Sequence, residues 1–362
     1  MAFSADSLKS LLSARSPRRY GLYPTPFHRL DRFSRAIGRE VWIKRDDLIS
    51  VAGGGNKVRK LGYLVADALE GGADHLVSVG AEQSNHARCV AAVAAIEGLD
   101  CDLVLGGDPD SPVVGNLLLD HMLGARIQFP GTDDWEELER VSLEVAEQLR
   151  AHGKRTYVMP IGGSTPIGAL GFVDAYLELR EQLGIVGVKP SSIVHATSSG
   201  GTQAGLAIGA HLLHDDVKIL GIGVAKTAGD LHDEIVDITE GCLKLLGAED
   251  GMPDIIVVPG YLGRAYAEPT RGALDALRLL LRTEGILVDP VYTAKAMHAV
   301  IDAPTDVLGD GPIVFWHTGG IPAVFSPHFA EHLIAEPRPI ASGRTRPSGK
   351  SSISDDVSGQ RR

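Results

Sequence analysis

The sequence predicts an α/β protein with mainly parallel sheets, divided into two domains. Three observations carry this. Short apolar runs with strand character alternate with longer stretches of helical periodicity along nearly the whole chain. The links between them are short and glycine-rich, as strand-to-helix crossovers require, and the chain holds 43 glycines. Finally, 362 residues exceed what a single hydrophobic core usually organises.

In chain order, the first twenty residues are polar, and Tyr23-Pro24-Thr25-Pro26 is an extended segment because each proline biases its predecessor away from helix. Residues 27–37 read as a short helix and Val41-Trp42-Ile43-Lys44 as a strand ending in the charged turn Arg45-Asp46-Asp47. A helix over 57–70 opens after Gly53-Gly54-Gly55 and ends at Gly71-Gly72. Strands are expected at 75–80, 102–105, 126–129 and 156–160, with helices at 87–96, 115–123 and 134–152 between them. The second half continues in the same style. It has helices at 166–183, 206–213, 269–284 and 293–302, and strands at 192–196, 218–222 and 313–317. From about Glu336 apolar residues almost vanish, so the tail 336–362 is expected to be disordered. No short repeat period marks a solenoid.

Bulk composition narrows the function classes. A formal charge of -11 argues against nucleic acid or an anionic membrane as partner. No window reaches the ~20 apolar residues of a membrane span, and Met1 to Asp6 lack the plan of a signal peptide. Cys89, Cys101 and Cys242 have no paired spacing. They read as reduced, mostly buried residues of a cytoplasmic protein, with no disulfide frame and no metal centre.

Four stretches can carry chemistry. Gly53 to Lys60 (GGGNKVRK) offers Lys57 at a loop-to-helix junction, where desolvation and cationic neighbours lower an amine's pKa, with Lys60 one turn on. The same stretch also suits a glycine turn with solvated lysines. Thr197 to Gly205 (TSSGGTQAG) follows a strand and lets backbone N–H groups converge at a helix start. That is an anion site or simply a tight turn. It matches neither a Walker loop nor G-x-G-x-x-G, so a phosphate monoester fits better than a nucleotide. Gln83-Ser84-Asn85-His86 can cradle a carboxylate, or Ser84 can be only a helix cap. Asp289-Pro290-Val291-Tyr292-Thr293 and His317-Thr318-Gly319-Gly320 lie at element ends, where sites of α/β proteins collect; a buried tyrosine and a capping threonine read equally well there.

A reactive lysine, a monophosphate cradle and a carboxylate pocket together describe pyridoxal phosphate chemistry on amino acids. Val41–Leu61, Ala81–Ala95, Met159–Gly171, Ser198–Leu206 and Gly285–Phe325 resemble the 1-aminocyclopropane-1-carboxylate deaminase and D-cysteine desulfhydrase family. The likeness spans roughly residues 16–330, with G-G-N-K-x-R-K and Q-S-N as its most specific motifs. It implies a fold-type-II enzyme, similar to the tryptophan synthase β subunit. Its three-layer parallel-sheet domains would be residues 1–52 with 166–335 (large) and 53–165 (small), the cofactor lying in the cleft between them. It also implies a homodimer and a small amino-acid substrate. Residue by residue, it makes Lys57 the Schiff-base lysine and Lys60 a phosphate contact. Asn85 would bond the cofactor 3′-oxygen, and Ser84, Asn85 and His86 would face the substrate carboxylate. Ser199, Gly200, Gly201 and Thr202 would hold the phosphate. Tyr292 would lie against the pyridine ring and Tyr266 would line the pocket. Thr318 would contact the cofactor and Thr293 the substrate.

Within the family, deaminases carry Glu after the ring-side tyrosine and Leu in the H-x-G-G motif. Here Thr293 and Thr318 stand at those places, the pairing that resembles desulfhydrases. A neutral hydroxyl near the pyridine nitrogen makes a weaker electron sink than a carboxylate does. That suits expulsion of thiolate better than opening a cyclopropane ring. The expected reaction is therefore β-elimination from D-cysteine to pyruvate, hydrogen sulfide and ammonia, with Lys57, Tyr292 and Ser84 as catalytic residues. Alternatives are the deaminase reaction giving 2-oxobutyrate, sulfite elimination from cysteate with Arg88 or Arg264 as the added cation, and a non-catalytic protein that binds a phosphorylated ligand. Glu82, Cys89 and Arg264 depart from the family pattern, and Glu82 would disfavour anionic substituents if it faced the pocket.

Overall fold

The computed structural model describes residues 3–248 and 251–334; the tail 336–362, expected to be disordered, lies outside the described residues. The chain begins with α1 (Ala5–Ser13), β1 (Phe27–Arg29), α2 (Asp31–Ile37) and β2 (Val41–Arg45). Helices and strands then alternate through α3 (Lys57–Glu70), β3 (His75–Ala81), α4 (Asn85–Glu97), β4 (Asp100–Gly106), α5 (Gly115–Met122), β5 (Arg126–Gln128), α6 (Trp135–Ala151) and β6 (Thr156–Met159). Next come α7 (Pro166–Val186), β7 (Ser192–Thr197), α8 (Gly201–Leu212), β8 (Lys218–Gly223), α9 (Ala228–Leu246) and β9 (Ile256–Val258). Last are α10 (Arg271–Glu284), α11 (Thr293–Asp302), α12 (Thr305–Leu308), β10 (Ile313–His317) and α13 (Pro327–Ile334).

Two sheets result. The six-stranded one runs β1-β2-β10-β7-β8-β9 and is parallel except where β1 pairs with β2. The four-stranded one, β5-β4-β3-β6, is wholly parallel. Strands β3, β7 and β10 are almost entirely buried, because a parallel sheet is covered on both faces. On one face of the larger sheet α1, α7, α8 and α9 bury Leu8, Phe172, Tyr176, Ile235 and Trp316; on the other, α2, α10 and α11 bury Phe33, Leu277 and Met297. The smaller sheet is likewise covered on both faces, by α3 and α4 on one side and α6 on the other. Helix α3 packs on α7 as well as on α4, which ties it to the larger sheet. Among the described residues no helix is long and apolar enough to cross a membrane, and all three cysteines are buried and unbridged.

Several elements differ from the sequence expectation. The segment 27–29 is a strand, because Phe27 pairs opposite Lys44 and stacks on Trp42 with ring centroids 5.2 Å apart; the helix starts only at Asp31. The polar N-terminus holds α1, capped by a reciprocal Ser4–Ser7 box and anchored by Leu8 and Leu12, which share one face. Helix α8 starts at Gly201, five residues before the expected start. Helix α9 and the edge strand β9 fall where the sequence reading places no element.

The smaller sheet buries one costly group. Asp120 on α5 is fully buried and neither carboxylate oxygen has a hydrogen-bond partner among the described residues. Burial pushes its carboxyl up to about 8, against the opposing pull of the Arg88 guanidinium. The folded state therefore holds a proton that the unfolded state has released between the ordinary carboxylate value and about 8. Stability associated with Asp120 is full below that window and is lost as pH rises through it. Asp120→Asn should raise stability by roughly 2–4 kcal/mol at pH 7 and less at pH 5; urea unfolding at the two pH values checks this.

Candidate active site

The glycine run before α3 is fixed by its surroundings. Gly54 has φ +71°, and a Cβ there would stand 2.3 Å from the Asp47 carbonyl oxygen, so only glycine fits. Arg88 grips this loop from α4, donating from Nη1 to the Ala52 carbonyl at 2.6 Å and from Nη2 to Gly54 at 2.9 Å. Asn56 donates its backbone N–H to the Thr318 carbonyl at 2.9 Å. Behind the first turn, Arg59 forks onto Asp46 with two 2.7 Å bonds and reaches Glu178 at 2.9 Å. Trp316 Nε1 donates to Asp46 at 2.8 Å, and Lys44 pairs with Glu178. Burial pushes the Glu178 carboxyl up, but the Arg59 and Lys44 charges outweigh it and hold it at about 2.

This scaffold turns Lys57 into a cavity of about 510 Å3 between the two sheets. Burial pushes the Lys57 amine down to about 8, and Nζ lies 3.4 Å from the Gly162 carbonyl oxygen. Lys60 shares that carbonyl at 3.1 Å and donates to Ser164 Oγ at 2.9 Å. Burial and the Lys57 charge hold Lys60 well below the ordinary lysine value. Two amines on one oxygen, both desolvated, leave free base available near neutral pH.

Facing them are the first residues of α4. Ser84 caps the helix, accepting the Ala87 N–H at 3.1 Å, which leaves its hydroxyl proton free to donate. The Asn85 carbonyl oxygen accepts from Asn116 Nδ2 at 3.1 Å, while Asn116 is itself locked by Gln83. The Asn85 amide therefore offers its NH2 to the cavity. His86 is 2% exposed with neither ring nitrogen partnered among the described residues. Burial and the charges of Lys57 and Lys60 hold it well below the ordinary histidine value, so it is neutral.

At the start of α8, Ser199, Gly200 and Thr202 line the cavity. Gly200 has φ +81° and brings no side chain of its own, so α8 lacks the cap that an N-cap residue usually supplies. Gly201 sits one step back: its N–H is donated to Ser164 Oγ at 3.2 Å. Thr202 Oγ1 accepts from Asn56 Nδ2 at 2.9 Å. Gly162 keeps a side chain out of this corner, since a Cβ there would fall 2.2 Å from Ser199 Oγ and 3.0 Å from Lys57 Nζ. An anion cradle beside two amines that lose their protons easily fits a phosphorylated carbonyl compound.

Tyr292 and Tyr266 close the third side with their hydroxyls in contact, and the Tyr266 ring meets the edge of Trp135 at 5.8 Å. Thr318 lines the cavity as well. Thr293 does not. It is fully buried at the start of α11, donating to Asp289 Oδ1 at 2.6 Å and accepting the Asp289 N–H at 2.8 Å. Its assignment to substrate contact is therefore corrected: the residue after Tyr292 points into the helix cap, away from the cavity. Glu82 is also outside the lining and approaches Gly107. Arg264 is 94% exposed and bridges to Glu268 at 3.5 Å.

Sequence reasoning missed Asn56, Asn116, Gly162 and Ser164, which work by orienting neighbours. Asn56, inside the G-G-N-K-x-R-K motif, and Gly162 and Ser164, within the Gly162-Gly163-Ser164 turn before a helix, carry a local signal; Asn116 carries none. Also missed was the acidic lining, Glu136 and Glu139 from α6 and Glu234 and Asp237 from α9, which outnumbers Lys226.

Comparison with known proteins agrees with this chemistry. Residues 18–319 match the family model of pyridoxal-phosphate-dependent enzymes. A crystal structure of an ACC deaminase homologue is 38% identical, covers 91% of this chain and 98% of its own, and superposes with a TM-score of 0.84. Two more distant structures share the fold. Threonine deaminase from T.th. has 22% identity, a TM-score of 0.61 and coverage of 88% of this chain and 98% of its own. Diaminopropionate ammonia lyase from Escherichia coli has 17% identity, a TM-score of 0.64 and coverage of 91% of each chain. The chain is thus a member of the pyridoxal-phosphate-dependent enzyme family, built on the two-sheet fold-type-II architecture and using pyridoxal 5′-phosphate as cofactor.

Proposed function

We propose that the protein catalyses β-elimination on a small amino acid, D-cysteine before others, giving pyruvate, hydrogen sulfide and ammonia. The observation that carries this reading is that, among the described residues, the Tyr292–Thr318 side offers the cavity hydroxyls and no unoccupied carboxylate. Thr318 offers only a hydroxyl, and the carboxylate packed there, Asp289, is wholly occupied by the N–H groups of Val291, Tyr292 and Thr293 and the Thr293 hydroxyl. Bound pyridoxal phosphate supplies the electron sink for the pair left when a Cα–H bond breaks. A site with no free carboxylate on that side among the described residues suits a substrate with a good leaving group, such as thiolate, better than an unactivated cyclopropane.

In this reading Lys57 and Lys60 divide the amine work. Lys57 takes the Cα proton on Nζ, helped by a pKa brought down to about 8. Lys60 and the start of α8, with Ser199, Gly200 and Thr202, would hold the phosphate. The Asn85 NH2 would hydrogen-bond the cofactor oxygen, and the Ser84 hydroxyl with neutral His86 would receive the substrate carboxylate. Tyr292 and Tyr266 wall the cavity and exclude water.

Cysteate is disfavoured by charge. Arg88, one of its two candidate partners, is committed to the glycine loop and Asn116, and Arg264 lies outside the cavity. The remaining lining cation near the acidic residues, Lys226, pairs with Glu234. A panel of D- and L-cysteine, β-chloroalanine, cysteate and aminocyclopropane carboxylate, read by sulfide, sulfite and ketoacid release, tests the proposal. Sulfide with pyruvate from D-cysteine is expected. Release of 2-oxobutyrate from aminocyclopropane carboxylate as the dominant activity would replace it with the deaminase reaction.

A further inference from the structure

Lys295 is a buried charge outside the set of residues assigned so far. It lies on α11, fully buried beside Ala294, Ala296 and Met297. Its ammonium donates to one acceptor among the described residues, the Leu262 carbonyl oxygen at 2.7 Å. Burying an ammonium against a single carbonyl is costly. Burial brings this one down to about 8, with Asp289 and Glu268 opposing the shift.

What the bond joins gives it a purpose. Leu262 opens an irregular turn that includes Gly263 at φ +84° and Ala267 at φ +63°, the latter a left-handed conformation that alanine adopts only under constraint. Between them is Tyr266, whose hydroxyl touches that of Tyr292. Tyr292 directly precedes α11, three residues from Lys295, so the two side chains leave neighbouring positions. One side of the cavity is thus made from two segments far apart in sequence, and the Lys295–Leu262 bond fastens one to the other.

We propose that Lys295 is a positioning residue that anchors the 262–267 turn to α11 and so sets Tyr266 against Tyr292 in the reaction cavity. This rests on the proposed function only in that Tyr266 borders the reacting substrate. Lys295→Met keeps the length of the stem and removes the donor. In the full-length protein, hydrogen–deuterium exchange of backbone amides in 259–268 should speed up about tenfold while the helices stay unchanged. In the cofactor-loaded enzyme, kcat/KM on the best substrate of the panel should fall about tenfold in Lys295→Met and in Tyr266→Phe, and no further in the double variant. Unchanged exchange in that turn, or losses that multiply in the double variant, would overturn the proposal. If Lys295→Met does not fold, Lys295→Gln carries the same test, because the amide is too short to reach Leu262. If no panel substrate is turned over, the functional reading has failed and the exchange result alone decides the tether.

Discussion

Lys57→Ala is expected to lower kcat by a factor on the order of 10^4–10^6, as loss of a group acting on the reacting atoms does. The same variant should lack the absorbance near ~420 nm that a lysine-linked pyridoxal carries. The size of the effect follows from the site. The Lys57 amine faces the cavity with one long contact to Gly162, while Lys60 is tied to Gly162 and Ser164. Lys60→Ala should consequently keep the absorbance and weaken cofactor retention. Wild-type turnover in Lys57→Ala would contradict the assignment.

The second large effect is on stability. Asp46 accepts from Arg59, Thr25 and Trp316, and it is fully buried. Among the described residues, Asp46→Ala leaves the buried Arg59 guanidinium with only Glu178 and Thr25 as hydrogen-bond partners. Breaking a buried pair from one side typically costs about 3–5 kcal/mol, and the shift in urea midpoint measures it. A loss below about 1 kcal/mol would mean that the network is replaceable. The acid limb follows from the same cluster. Glu178 is held at about 2, below its ordinary value. Its contribution is therefore present above the ordinary carboxylate range and is lost as pH falls toward 2.

Much of the fold is legible in the sequence because its signals are local. The start of α3 at Lys57 follows from three glycines and a helical run, and β3, β7 and β10 are apolar stretches bounded by turn residues. Helix α8 begins earlier than expected because Gly201 to Gly205 is composed largely of small residues that read as a loop; burial against α7 makes them helical. Helix α1 is hidden by its polar residues, since two leucines docked on α7 suffice to hold it. Strand β1 needs a partner 13–17 residues away to become visible. Within the site, Lys57, Ser84, Ser199 and Thr318 line one cavity, each from the end of an element. Thr293 does not, because whether a residue beside Tyr292 faces the cavity depends on the cap that Asp289 builds. Asn116, Lys295 and the acids of α6 and α9 have no motif to mark them, because their roles exist only through tertiary neighbours.

Borohydride reduction of the cofactor-loaded protein, followed by peptide mass mapping, tests the central claim most directly. Reduction should fix one phosphopyridoxyl group per chain, on the peptide containing Lys57 and at that residue. Label on Lys60 or Lys295, or no covalent label at all, would contradict the account.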